Sequence, residues 1–142
     1  MTREIGTAER AALEKAIAEF NSWRFYDCHE TLEDVWREVG EKGDEASLAN
    51  FYQGLIKAAA GLHHLLRNNH AGAVKVLSDT FRLLQPYRPE TLGVDLESLL
   101  ADLRAVMERI AELGPGRIGE FERSRIPVIG YARAGEMSAP NP

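Results

Sequence analysis

The chain has 142 residues, a formal net charge of -5 from 17 Lys and Arg against 22 Asp and Glu, and a composition 44% hydrophobic and 27% charged. This is the size and make-up of one soluble globular domain, which excludes two independent cores, a disordered chain and an integral membrane protein. The acidic balance disfavours nucleic acid and anionic lipid as partners.

In chain order, the first helix is expected from Thr7, a residue able to cap it, with Leu13, Ala16, Ile17 and Phe20 on one face and Asn21-Ser22 as its stop. The second runs from Phe25 to about Val39, carrying Phe25, Leu32, Trp36 and Val39 on one stripe with Cys28 and Val35 on its flank. Gly40-Glu41-Lys42-Gly43 is expected to end it, and Asp44 to cap the third. There Leu48, Phe51, Tyr52, Leu55, Ala59, Leu62 and Leu66 form an unbroken apolar stripe up to a turn at Asn68-Asn69. Gly54, Ala58 and Gly61 share its flank, a spacing that suits close approach of another helix.

A fourth helix spans His70 to Gln85 with Ala73, Val74, Leu77, Phe81 and Leu84 inward, closed by Pro86 and Pro89. The fifth opens after Asp95 and carries Leu96, Leu99, Leu100, Leu103, Val106, Met107 and Ile110 to a stop at Gly114-Pro115. No strand run rivals these periods, so the fold class is all-α: a single small bundle of about five helices, residues 1–113, with a Gly/Pro-containing tail, residues 114–142. Within the tail, Ile126-Pro127-Val128-Ile129 is expected to lie extended across the bundle and the segment from Ala134 to fray. Arg117, Arg123, Arg125 and Arg133 are offset there by Glu120, Glu122 and Glu136, a solvated segment rather than a nucleic-acid arm. Met1 to Arg10 has no apolar signal-peptide core, and Leu55 to Leu66 is interrupted by Lys57, Gly61, His63 and His64 well short of the ~20 residues of a membrane span. With a lone cysteine as well, a reducing cytoplasm is the expected location.

The candidate site is a polar cluster between the second and third helices. His29 and Glu33 stand one turn apart at the edge of an apolar stripe, with Trp36 further along the same face. Gln53, His63 and His64 come from the third helix, and because successive residues differ by ~100° only one of the two histidines is expected to face the second. Three readings fit: a buried structural network in which His29 donates to Glu33, a metal-free ligand pocket, or a divalent metal held by His29, Glu33 and His63 or His64. His-Glu-x-x-His is missed, because Glu33 stands where the second histidine belongs, and no histidine has a Glu three residues before it, as the di-iron bundles require. No cofactor is therefore expected. Cys28 diverges from His29 around the helix and reads as packing; Trp36 at helical spacing reads as core, with a roof over a pocket as its alternative.

Phe20-Asn21, the run Phe25-Tyr26-Asp27-Cys28-His29-Glu30-Thr31-Leu32-Glu33-Asp34-Val35-Trp36, the run Phe51-Tyr52-Gln53-Gly54-Leu55-Ile56 and Asn68 to Ala73 (NNHAGA) together resemble the domain-of-unknown-function family DUF309 over about residues 20–84. The resemblance implies a small all-helical intracellular protein, places the motif on His29, Glu33, Trp36, Gln53 and Gly54, and brings no reaction, substrate or cofactor with it. With neither a phosphate loop, a dinucleotide fingerprint nor a nucleophile elbow present, the expected function is a noncatalytic binding or interaction module for a protein or small molecule. A metal-dependent enzyme of hydrolase type is the alternative, and self-association into a homo-oligomer is compatible with either.

Overall fold

The computed structural model describes residues 5–42 and 46–132. Among the described residues five helices build the fold: α1 Thr7–Asn21, α2 Phe25–Lys42, α3 Ala46–Leu66, α4 His70–Leu84 and α5 Leu96–Arg117. Their inward faces form one core around Leu13, Phe20, Phe25, Leu32, Phe51 and Leu77. Tyr26 near the start of α2 stands against His63 near the end of α3, so the two helices run antiparallel.

The small-residue flank of α3 packs as its spacing indicated. A Cβ on Gly61 would stand 2.5 Å from Leu77 Cγ, and one on Gly54 would collide with the Leu84 side chain, so α4 crosses α3 where those side chains are missing. On the inner face of α4, Ala73, Leu77 and Leu84 are buried, Val74 and Phe81 only in part, and Thr80 is buried by bonding its hydroxyl back to Val76 O.

Several boundaries depart from expectation. The cap of α1 is Gly6, without a side-chain bond; Thr7 is already the first helical residue. Helix α2 continues through Gly40 to Lys42, because a solvent-facing glycine costs a helix only about 1 kcal/mol and nothing packs there to turn the chain. Asp44 and Gly43 lie outside the described residues. Asp95 does cap α5, accepting from Ser98 N, and the helix breaks at Gly114, whose φ of 68° is left-handed.

A two-stranded hairpin between α4 and α5 was not anticipated. Strands β1 Glu90–Thr91 and β2 Val94–Asp95 are joined by Leu92 and Gly93, both with positive φ. The usual hairpin signature puts Asn or Asp where Leu92 stands. Leu92 is held there because its side chain is buried and its carbonyl accepts from Arg10 on α1.

Ile126 to Ile129 does lie extended across the bundle, with Ile126 and Ile129 buried. The Asn21 side chain takes both backbone groups of Ile129, donating to its carbonyl at 2.9 Å and accepting from its amide at 2.7 Å. Beyond that point the chain joins the hairpin, Asp95 N donating to Gly130 O and Ala132 N to Gly93 O. Tail charges are paired in part as their signs indicated, Arg117 with Glu120 and Arg125 with Glu122, while Glu122 is also held by Arg109 of α5. Arg133, Glu136 and the segment from Ala134, expected to fray, lie outside the described residues.

Candidate functional site

One stripe of α2 looks outward beside α3. Tyr26, His29, Glu33 and Trp36 recur at i, i+3, i+7 and i+10, so they line up along one edge of the helix. Buried Phe25, Cys28, Leu32, Val35 and Val39 occupy the adjacent face. Trp36, expected in the core, lies about 60° around the helix from the centre of that buried set, which leaves it on the rim at 37% exposure. Tyr26 is 60% exposed. Two large aromatics thus frame the stripe.

His29 Nε2 stands 3.4 Å from Glu33 Oε2, with 33% and 43% of the two side chains exposed. Both groups belong to α2, so this contact staples one helical turn rather than joining two helices. Arg37, one turn beyond, approaches Glu33 at 3.8 Å and Asp34 at 2.9 Å.

Of the two histidines on α3, His63 faces α2. Its ring centroid is 6.4 Å from that of Tyr26, which is equally 6.4 Å from His29. Partial burial, followed by the positive charge of Arg67 and the charge that His64 and His29 carry when protonated, holds the His63 imidazole below its ordinary range. His64 turns away: its Nδ1 meets Asn69 Nδ2 at 3.0 Å in the α3–α4 turn. Gln53 lies ten residues before His63, about 15 Å back along the axis and about 80° around it. In the antiparallel register that brings it level with Trp36, at the far end of the stripe. The structure therefore gathers His29 and His63 around Tyr26, sets Glu33 one turn beyond His29 with Trp36 and Gln53 further along, and separates His64 from them. Tyr26 and Arg37 were not among the candidate site residues, although Tyr26 stands three residues before His29, on the same edge.

Three converging donors are what a catalytic metal site needs. Among the described residues no group of three or more His, Cys, Asp or Glu is arranged to hold a metal ion. Cys28 is fully buried, and its thiol is pushed up to about 12 by burial and, secondarily, by the charge of Glu19. It packs as a small apolar group and presents no thiolate at neutral pH.

Fold and site together define a helical bundle domain with a half-exposed aromatic and polar stripe along one helix edge. Residues 13–76 match the family model described as Domain of unknown function (DUF309). The chain is similar to that family from Leu13 of α1 through the first half of α4. It is similar to the uncharacterized protein YpuF of Bacillus subtilis (strain 168), 34% identical over 97 residues, which are 66% of this chain and 53% of that protein. An uncharacterized protein of Aquifex aeolicus (strain VF5) is 30% identical over 111 residues, 78% of this chain and 30% of that protein. The chain thus spans about half the length of one relative and less than a third of the other. Among the described residues no helix is long and apolar enough to cross a membrane.

Proposed function

We propose that the domain is a noncatalytic binding module, acting in the cytoplasm, whose contact face is the α2–α3 stripe of Tyr26, His29, Glu33, Trp36, Gln53 and His63. The observation that carries this reading is the pair of exposed aromatics bracketing partly exposed hydrogen-bonding groups on a rigid helix edge. Tyr and Trp supply contact area at little entropic cost, and His29, Glu33 and Gln53 supply directional bonds, the usual division of labour in a protein contact. The size difference between the two relatives supports a module used in different protein contexts. A protein or small-molecule partner suits this face better than nucleic acid, given the net charge of -5. The hydrolase alternative rests on His29, Glu33 and His63 or His64, and with His64 turned toward Asn69 the set it would draw on is His29, Glu33 and His63.

A photoreactive phenylalanine analogue placed at Tyr26 or Trp36, with exposed Ala105 on α5 as control, tests the assignment in cells of the source organism. One discrete adduct is expected from the two α2 positions and none from Ala105. The partner so identified, once purified, should bind the wild-type domain saturably and at least about tenfold more weakly after Trp36→Ala, as for a central interface aromatic. Equal adducts at the control position, or unchanged affinity in the Tyr26 and Trp36 alanine variants, would overturn it. Elemental analysis of untagged protein separates the alternative, since stoichiometric zinc, iron or manganese would favour the hydrolase.

A further inference from the structure

The residue that the proposed face leaves out, His64, sits in a joint of unusual economy. Helix α3 closes with Asn68 at a left-handed φ of 61°, Asn68 N donating to Leu65 O and Asn69 N to His64 O, the Schellman pattern. Asn69, the last residue of that motif, is also the N-cap of α4: its Oδ1 accepts from Gly72 N at 3.0 Å. A backbone N–H can only donate, so Oδ1 must be the atom facing Gly72 and Nδ2 the atom facing His64. Nδ2 in turn can only donate, so His64 Nδ1, 3.0 Å away, must carry a lone pair. The geometry points to a neutral imidazole with its hydrogen on Nε2, wired through one side-chain amide to the first turn of α4.

We infer that this joint is a proton-sensitive latch, with the α4 cap seated while His64 Nδ1 is bare and unseated when Nδ1 takes a proton from solvent. Protonation sets Nδ1–H against the Asn69 amide hydrogens. Asn69 can answer by turning its amide over, which gives Oδ1 to the imidazolium and presents Nδ2 to Gly72 N–H, donor against donor, so the cap is lost. The ring cannot simply slide across, because it is packed on Gly72: a Cβ there would stand 2.9 Å from His64 Cγ and Nδ1. The titratable and charged groups around the joint are His63, whose ring centroid lies 6.5 Å from that of His64, Arg67, whose amide donates to His64 O, and His70 at the first position of α4, while His29 of α2 reaches it only electrostatically through His63. Arg123 of the tail lines the small cleft beside Asn68. The latch stands on these contacts alone, independently of any partner at the α2–α3 face.

Nuclear magnetic resonance tests it from about pH 8 to about pH 5, the span in which imidazoles titrate. Expected at the upper end is a lone-pair nitrogen shift at Nδ1 and a hydrogen at Nε2. On acidification the Gly72 amide should move with the midpoint of the His64 ring, and exchange protection in the first turn of α4 should fall about fivefold to tenfold, the worth of one cap. His64→Gln should abolish this response and His63→Gln should preserve it. Asn69→Asp should keep the cap seated on acidification, since one carboxylate oxygen can accept from Gly72 N and the other from the imidazolium. A hydrogen on Nδ1 at the upper end, a Gly72 amide indifferent to pH, or a response that survives His64→Gln would each overturn the latch.

Discussion

His29 and Glu33 are half exposed and share one helix, so water and salt screen them and neither is stranded when the other is removed. A double-mutant cycle of His29→Ala and Glu33→Ala is therefore expected to give a coupling below about 1 kcal/mol, read from thermal or denaturant unfolding. Coupling of several kcal/mol would show a buried pair instead. Candidate chemistry at this scale was legible insofar as helical spacing decides it: His29, Glu33 and Trp36 fall on one edge, and one histidine of the two faces α2. Burial was less legible. Trp36 reads as core from periodicity alone, because the period gives an angle and the neighbouring helix decides where along that angle solvent begins. The bond that turns His64 away depends on a cap residue of the next helix, which no pattern within α3 reveals.

Between elements, the absence of side chains on one flank of α3 sets the α3–α4 crossing. Gly61→Ala is expected to destabilise by about 1 to 3 kcal/mol in denaturant unfolding, because the new methyl meets Leu77, whereas helix propensity alone would favour alanine by up to about 1 kcal/mol. A stabilised variant would show that α4 can withdraw without cost. The five helices were legible because each carries its own apolar period, and Asp95, Asn68 and Asn69 punctuate them by known chemistry. The hairpin was not. Two residues per strand leave no alternation to read, and Leu92 adopts its left-handed backbone for contacts made with α1, a partner more than eighty residues earlier.

For the whole molecule, two polar grips hold the segment after α5. Asn21→Ala removes both bonds to Ile129 and should cost about 1 to 3 kcal/mol, with faster amide exchange at Asp95 and Ala132, the next links in that chain of bonds. Unchanged exchange there would show that burial of Ile126 and Ile129 suffices. The second grip is pH dependent. Arg109 holds the Glu122 carboxyl down at about 2, below the ordinary carboxylate range near 4. A depressed carboxylate contributes its stability above the unfolded-state range and loses it as pH falls through about 4 towards 2. Glu122→Gln should accordingly lower the melting temperature at neutral pH, and the gap from wild type should close by about pH 2. A gap of constant size across that range would remove the charge from the account. That the tail lies extended across the bundle could be read from its prolines and branched residues; that Asn21 receives it could not, since a helix-ending asparagine looks the same whether or not it has a distant guest.

The Asn21 clasp joins residues 108 positions apart, whereas the helix pairs of the bundle are sequence neighbours. Closing so long a loop yields nothing until both ends are ordered, so the clasp should be absent from the transition state for folding. Stopped-flow kinetics of Asn21→Ala would then show a refolding rate close to wild type and an accelerated unfolding rate. In this view the helices determine how fast the native state is reached, and one asparagine at the end of α1 determines how long it lasts.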